Sequence, residues 1–450
     1  MSGGYRPAMR RLLFRALIGV VVVLLVAAVG GYWYARPLLI TGTGYAAHNA
    51  CAVVHLAGRA LPASDLPPNP LVPHLVTSVG ADQARTTIRG VLAGQTAWYT
   101  AGYGCTLATT RPVLPPATPV SSNALTTAAT PTMTQATTAL VAAAFGDELA
   151  ESERTGLGTR AVVVLRDGQL VAERYAPGFT ATTQQLGWSM SKSVTNLLVG
   201  RMVAAGTVRV DEAGLDPAWT DDRRLITVDQ LLRMTSGLSW DETYDLGTPI
   251  TRMLYGEQDM GAYVASRPLA HPPGTYQQYS SGSTTFLCSV LAARSGGADL
   301  PRRLLFAPLG LSSAVWEVDA TGTPVCSSYL WATPRDWATI GQLALNDGVW
   351  QGTRLLPEGW LQRSVTVDPV ATSEEDGYAA GWWANRRADG SLVDPSLPAD
   401  TYSANGHDGQ RLFVVPSAGL VVVRLGFSPG IARDSLRTAP LVAGLAALPR

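Results

Sequence analysis

The chain has 450 residues, 46% of them apolar, which excludes a disordered protein and leaves room for more than one domain. Only 15% are charged, and 34 basic residues balance 34 acidic ones, so the charge gives no footprint for a nucleic-acid partner or an anionic surface.

The first predicted element is an apolar helix. Arg6, Arg10, Arg11 and Arg15 precede an uncharged run from Ala16 to Tyr34, which at about 1.5 Å per residue crosses most of a bilayer's hydrocarbon. Tyr32, Trp33 and Tyr34 close its far end. Arginines before the run and aromatics after it predict a single-pass anchor over 16–34, with residues 1–15 cytoplasmic and the rest outside the cell membrane. A cleaved signal peptide, for which Ala28-Val29-Gly30 is an acceptable small-x-small site, would instead release a secreted protein.

Residues 41–107 are expected to form a small extracytoplasmic unit with strand-like patches at 51–56 and 86–92. Residues 108–133 are rich in Pro, Thr, Ala and Ser without apolar periodicity, and predict a linker that gives the next domain reach. From 134 to 450 a single large domain is expected. A helical pattern runs from Thr134 to about Glu153, and a hairpin follows with strands 160–166 and 169–175 around Asp167-Gly168. The far end mirrors it: strands 411–415 and 420–425 flank 416–419, and an apolar helix follows from about Ile431 to Leu448. The region between, 187–360, is mainly helical in pattern, with a capping box at Thr227 and Gln230. The expected fold class is therefore α+β, an antiparallel sheet made from both chain ends with flanking helices and an inserted helical domain, and the site lies between the two.

Four cysteines in an extracytoplasmic chain are candidates for disulfides. Pairing within regions, Cys51 with Cys105 and Cys288 with Cys326, is the simplest connectivity, and the alternative for Cys288 is a small buried apolar residue on a helix. The cysteines form no C-x-x-C pair and the histidines at 48, 55, 74, 271 and 407 form no cluster, so no metal or other cofactor is implied.

Lys192 is the only lysine, the other basic residues all being arginine. A guanidinium serves any role of a surface cation but does not give up its proton, so a lone lysine suggests a task that needs deprotonation. It stands three residues after Ser189, and Val194, Leu197, Leu198 and Met202 predict a helix whose other face carries Ser189, Lys192 and Asn196. A serine at a helix start beside a neutral amine is a nucleophile-and-base arrangement for acyl transfer, and its backbone N–H is an unpaired donor that can face an oxyanion. The competing pattern, a Gly-x-Ser-x-Gly elbow at Gly187 to Ser191, lacks its last glycine and follows a polar stretch, 181–186, rather than a strand. Tyr279 before Ser280-Ser281, and the glycine-bracketed His407-Asp408 of Gly406 to Gln410, read by themselves as a packing tyrosine and a tight turn into a strand.

Taken together and in order, Ser189-Met-Ser-Lys192, Tyr279-Ser-Ser281 and His407-Asp408-Gly409 resemble the three motifs of the serine β-lactamase and penicillin-binding-protein superfamily, in particular class C β-lactamase-like hydrolases and 6-aminohexanoate-oligomer hydrolases. Segments 231–238, 272–275, 335–338, 346–350 and 410–416 are similar to that family too, and the resemblance spans about residues 134–450. It implies a β-lactamase/DD-peptidase-like fold, Ser189 as nucleophile, Lys192 as proton acceptor or activating cation, Tyr279 as proton relay, and an oxyanion hole from the N–H groups of Ser189 and Gln410. Which of Lys192 and Tyr279 is the base stays open. Ser281 replaces the usual asparagine at a substrate-binding position. The third motif has no lysine to hold a β-lactam carboxylate, although Arg411 stands close enough in sequence to supply a charge. The expectation is a membrane-anchored serine hydrolase acting on a small-molecule or peptide-like ester or amide, an esterase, amidase or peptidase rather than a β-lactamase. The alternatives are a penicillin-recognising sensor that acylates without turnover and a true class C-type β-lactamase. The sequence leaves the oligomeric state open.

Overall fold

The computed structural model describes residues 5–60 and 65–449. Residues 1–4 of the expected cytoplasmic segment, the side chain of Arg6, residues 61–64 of the expected small unit and Arg450 lie outside the described residues.

Helix α1 (Tyr5–His55) is continuous through the apolar run and on to His55, with Pro37 inside it. Its first half is exposed and is long and apolar enough to cross a membrane. Its second half is buried, where Gly42, Gly44, Ala46, Ala47, Ala50 and Ala52 present little bulk. Gly44 shows why: a Cβ there would meet the Tyr255 carbonyl oxygen at 2.5 Å. Strands β1 (Leu75–Val79), β2 (Gln83–Ile88), β3 (Leu92–Thr100) and β4 (Gly104–Leu107) form an antiparallel sheet in chain order against this half. The Cys51–Cys105 disulfide ties β4 to α1. Closing a loop of that length contributes about 4 kcal/mol on the chain-entropy estimate.

The segment expected to give reach, 108–133, does not hang free. Thr118 bonds Asp299 through both N–H (2.8 Å) and hydroxyl (2.6 Å), Asn123 donates to the Leu309 carbonyl (3.0 Å), and Thr126 donates to Asp336 (3.0 Å). Arg335, itself paired with buried Glu173, donates to the Ala128 carbonyl at 2.6 Å. An extended, proline-rich strap has the composition of a tether, and here its side chains and some of its backbone groups are bonded to the body.

After α2 (Gln135–Phe145), which ends sooner than the helical pattern suggests, come β5 (Thr159–Arg166) and β6 (Gln169–Tyr175). They join a six-stranded antiparallel sheet whose other members come from the far end of the chain: β7 (Trp383–Ala384), β8 (Tyr402–Gly406), β9 (Gln410–Val415) and β10 (Leu420–Gly426). The order is β7-β8-β9-β10-β5-β6. Period-2 alternation divides the strands: Val162, Val164, Phe413 and Val422 face α2 and the C-terminal helix, while Val163, Leu165, Leu412 and Val423 face the main core. The antiparallel sheet from both chain ends, with flanking helices, is the one the sequence predicts.

The main core holds α3 (Met190–Ala204), α4 (Pro249–Gly256), α5 (Ser281–Ser295) and α6 (Pro334–Leu345); α7 (Thr438–Ala447) closes the chain on the opposite face. The expected amphipathic face of α3 is absent, because every residue from Met190 to Gly200 is buried. Asn196 is held by Trp360, Trp382 and Ser364 rather than turned to the site. A second disulfide joins Cys288 on α5 to Cys326.

Candidate active site

Ser189 immediately precedes α3, where N–H groups have no intrahelical acceptor. The short strand Gln185–Leu186 pairs with Trp331–Ala332, so a strand does enter this turn, contrary to the polar-loop reading of 181–186. Trp188 between them has φ 48°, a strained value for a bulky residue, of the kind that sharp turns at functional sites hold. Gly187 and Gly406 make the approach of the third motif possible: a Cβ on Gly406 would lie 2.2 Å from the Gly187 carbonyl oxygen, and one on Gly187 would enter the Trp337 ring. His407 is thereby brought edge-on to Trp188, 5.7 Å between centroids.

Lys192 Nζ donates to Ser189 Oγ at 2.9 Å, to Ser281 Oγ at 2.9 Å and to the Ser327 carbonyl at 3.2 Å. Burial lowers its pKa to about 8, against the opposing charge of Glu242. At neutral pH a useful fraction of the amine is therefore unprotonated. Tyr279 lies just before α5, with its ring centroid 4.7 Å from Lys192 Nζ. Burial pushes its phenol well above the ordinary value, Tyr378 and Glu242 add to the rise, and a hydrogen bond with Ser189 opposes it. A phenol so shifted stays protonated at neutral pH, the state in which it can donate. Between the two candidate bases, the environments thus favour Lys192.

Sequence reasoning missed Glu242. The Ser281 hydroxyl donates to its Oε1, the Ser281 N–H donates to Oε2 at 2.8 Å, and the Trp240 indole donates to Oε2 at 2.6 Å. A hydrogen-bonded chain thus runs Ser189–Lys192–Ser281–Glu242, and the short Ser281 completes it in place of an asparagine. The signal was present as alternation: in 240–245 Trp240, Glu242 and Tyr244 turn inward, whereas Asp241, Thr243 and Asp245 are exposed.

The third motif forms a one-turn 407–409 with Asp408 at φ 55°. His407 stacks on Tyr244 (centroids 4.3 Å) with Nε2 3.4 Å from Asp408 Oδ1. Burial raises the Asp408 carboxyl, which His407 and Arg160 oppose. The Gly409 carbonyl is held by buried Arg424 at 2.7 Å, a second group the sequence did not reveal. The Gln410 side chain braces the turn against Gly426. Arg411, considered above as a possible substrate cation, instead donates to the Gly406 (3.0 Å) and Gln410 (2.7 Å) carbonyls. Strand alternation puts it on the face of β9 shared with Phe413, away from Gln410 and Leu412.

Helix α1 reaches the back of this centre. Tyr45 stacks on Tyr255 (4.8 Å) and meets Trp188 edge-on (6.1 Å), and His48 stacks on Tyr329 (4.1 Å). Buried Glu317 joins three regions, with His48 Nε2 2.8 Å away and hydrogen bonds from the Cys105 N–H (2.7 Å) and the Trp331 indole (2.9 Å). Among the described residues there is no cluster of His, Cys, Asp and Glu able to hold a metal.

Residues 139–446 match the β-lactamase family model. The 6-aminohexanoate-dimer hydrolase of Paenarthrobacter ureafaciens is 26% identical over 303 residues, 60% of this chain and 73% of that protein. Penicillin-binding protein 4 of Amycolatopsis lactamdurans is 26% identical over 299 residues, 55% of this chain and 74% of its own length. In structure the chain is similar to a penicillin-binding-protein homologue from Caulobacter crescentus, with TM-score 0.57 and 18% identity, covering 71% of this chain and 99% of that one.

Proposed function

The chain belongs to the β-lactamase family, and from that premise we propose that it is a membrane-anchored, extracytoplasmic serine hydrolase that cleaves an ester or amide through an acyl-enzyme on Ser189. The observation that carries this reading is the 2.9 Å contact of a buried amine of pKa about 8 with a serine hydroxyl at a helix start. Ser189 Oγ attacks the substrate carbonyl carbon while its proton passes to neutral Lys192 Nζ. The carbonyl π pair moves onto oxygen, where the N–H groups of Ser189 and Gln410 receive it. Collapse expels the alcohol or amine, which takes a proton delivered through Tyr279, itself reprotonated from Lys192. Water then attacks the ester on Ser189, Lys192 takes the water's proton, and Ser189 leaves protonated with release of the acid.

Short uncharged esters and amides suit the site better than β-lactams. His407 is a partly exposed ring stacked on Tyr244 beside a carboxyl, and Arg411, although within Coulombic range of Tyr279, has its donors on backbone carbonyls, so neither is placed as a lysine of the third motif would be to hold a β-lactam carboxylate. A missing charge-assisted bond costs about 1.5–3 kcal/mol. The location rests on Arg10, Arg11 and Arg15 before the apolar half of α1, aromatics after it and two disulfides beyond. Retention of the anchor is supported by the uncharged run 16–34, which is long for the apolar region of a signal peptide.

The test is a time course of the detergent-solubilised full-length chain with short p-nitrophenyl esters, linear amides, D-amino-acid peptides and nitrocefin, followed by intact-mass spectrometry. A steady state with an ester or amide, and a transient acyl adduct on Ser189, are expected. One equivalent of product and a stable adduct would mean a sensor; nitrocefin cleaved as fast as the best ester would mean a β-lactamase.

A further inference from the structure

The β2–β3 turn, Arg89-Gly90-Val91-Leu92, stands beside the junction of the exposed and buried halves of α1. The Ala93 N–H donates to Tyr32 Oη at 3.2 Å, and Thr43 Oγ1 donates to the Ala93 carbonyl at 2.6 Å. Farther on, Tyr99 stacks on His55, 5.1 Å between centroids. Strand β3 thus runs alongside α1 in the same direction: six residues of strand rise ~20 Å and twelve of helix ~18 Å, so the two keep pace. It follows that the turn preceding Leu92 is the end of the small sheet nearest the apolar run. Its side chains are unusual for such a tip. Val91 is 79% exposed and Leu92 42%, and Arg89 is exposed beside them. Residues 84–97 carry Arg85 and Arg89 and no acid.

We propose that this turn is a second membrane contact, its occupant the outer-leaflet headgroup region of the bilayer that α1 crosses. The inference rests on the anchored reading above. An apolar pair at the level of an aromatic cluster, flanked by arginine and free of carboxylates, has the composition of interfacial segments: apolar side chains enter the acyl boundary while guanidinium groups meet phosphate. One helix alone leaves a protein free to tilt and swing. A second contact at the side of the helix restricts both, and so sets which way the body faces.

The test places an environment-sensitive fluorophore on single cysteines, Val91→Cys, Val23→Cys or Val113→Cys, in the full-length chain in phospholipid nanodiscs. Val113 is 99% exposed, and Arg111 beside it bonds Asp82 at the opposite end of the β2–β3 hairpin. The label at 91 is expected to be quenched by headgroup-level nitroxide lipids and shielded several-fold from aqueous iodide, relative to the label at 113. The label at 23 is expected to be quenched by nitroxides deep in the acyl chains. Lipid quenching at 23 with iodide access at 91 equal to that at 113 overturns this inference and leaves the anchor standing. Shielding at 91 from both quenchers means protein covers the turn, which also overturns it. No lipid quenching at 23 removes the anchor and the inference together.

Discussion

The two walls of the candidate site come from opposite kinds of sequence. The front wall, Ser189, Lys192, Ser281 and Glu242, is a chain of hydrogen bonds between polar groups, among them Ser189 and Lys192, to which the proposed mechanism gives proton transfers. The back wall, Tyr45 and His48 on α1 with Tyr255, Tyr329 and Trp188, is a stack of rings whose titratable phenols are pushed up by burial and stay neutral. Both flank the same turn at Trp188-Ser189. Residues that react must be particular types, whereas residues that brace need only shape and bulk, so substitutions in the two walls should separate activity from stability.

The largest separation is expected at the nucleophile. Ser189→Ala should abolish turnover and covalent labelling while the urea midpoint stays near that of the parent, and an active Ser189→Ala protein would end the mechanism. Lys192→Arg keeps the charge but cannot accept a proton, and kcat/KM is expected to fall by about 10²–10⁴-fold. The pH profile sharpens the assignment. With its pKa lowered to about 8, Lys192 becomes the competent neutral base as pH rises, so kcat/KM should climb from pH 6 and level off above about 8. Glu242 holds that pKa up, so Glu242→Gln should move the rising limb toward lower pH, whereas a limb that stays in place would separate Glu242 from the lysine's titration. The smallest kinetic effect belongs to the back wall. Tyr45→Ala is expected to cost about 1–3 kcal/mol in urea unfolding while the folded fraction keeps its pH profile. A Tyr45→Ala protein with normal stability and a shifted profile would place α1 in the chemistry instead.

The same contrast explains what could be read from the sequence. The meeting of the three motifs is legible because acyl transfer restricts the residue types, and a lone lysine among arginines singles out Ser189. The sheet built from both ends was legible because Val162 to Leu165 and Leu412 to Val415 are buried on both faces and read as unbroken apolar strands. The continuation of α1 to His55 was not legible. Glycine and alanine at 42–52 lack apolar periodicity and glycine disfavours helix, yet close packing under Tyr255 outweighs that propensity. The strap at 108–133 was misread because its partners, Asp299 and Asp336, stand 181 and 210 residues farther along the chain, and composition carries no trace of them. Glu242 is one of 34 acidic residues, and only its inward alternation with Trp240 and Tyr244 singled it out.

The burial of His48 beside Glu317 also sets a timetable. These residues are separated by roughly 270 positions, so at about 5–20 residues per second the N-terminal helix waits on the order of 15–50 s before its acidic partner has been synthesised. During that interval its inner half has no Glu317, Trp331 or Tyr329 to cover it. The small side chains at 42, 44, 46, 47, 50 and 52 keep the apolar area exposed in that interval low, which leaves less for another nascent chain to grip.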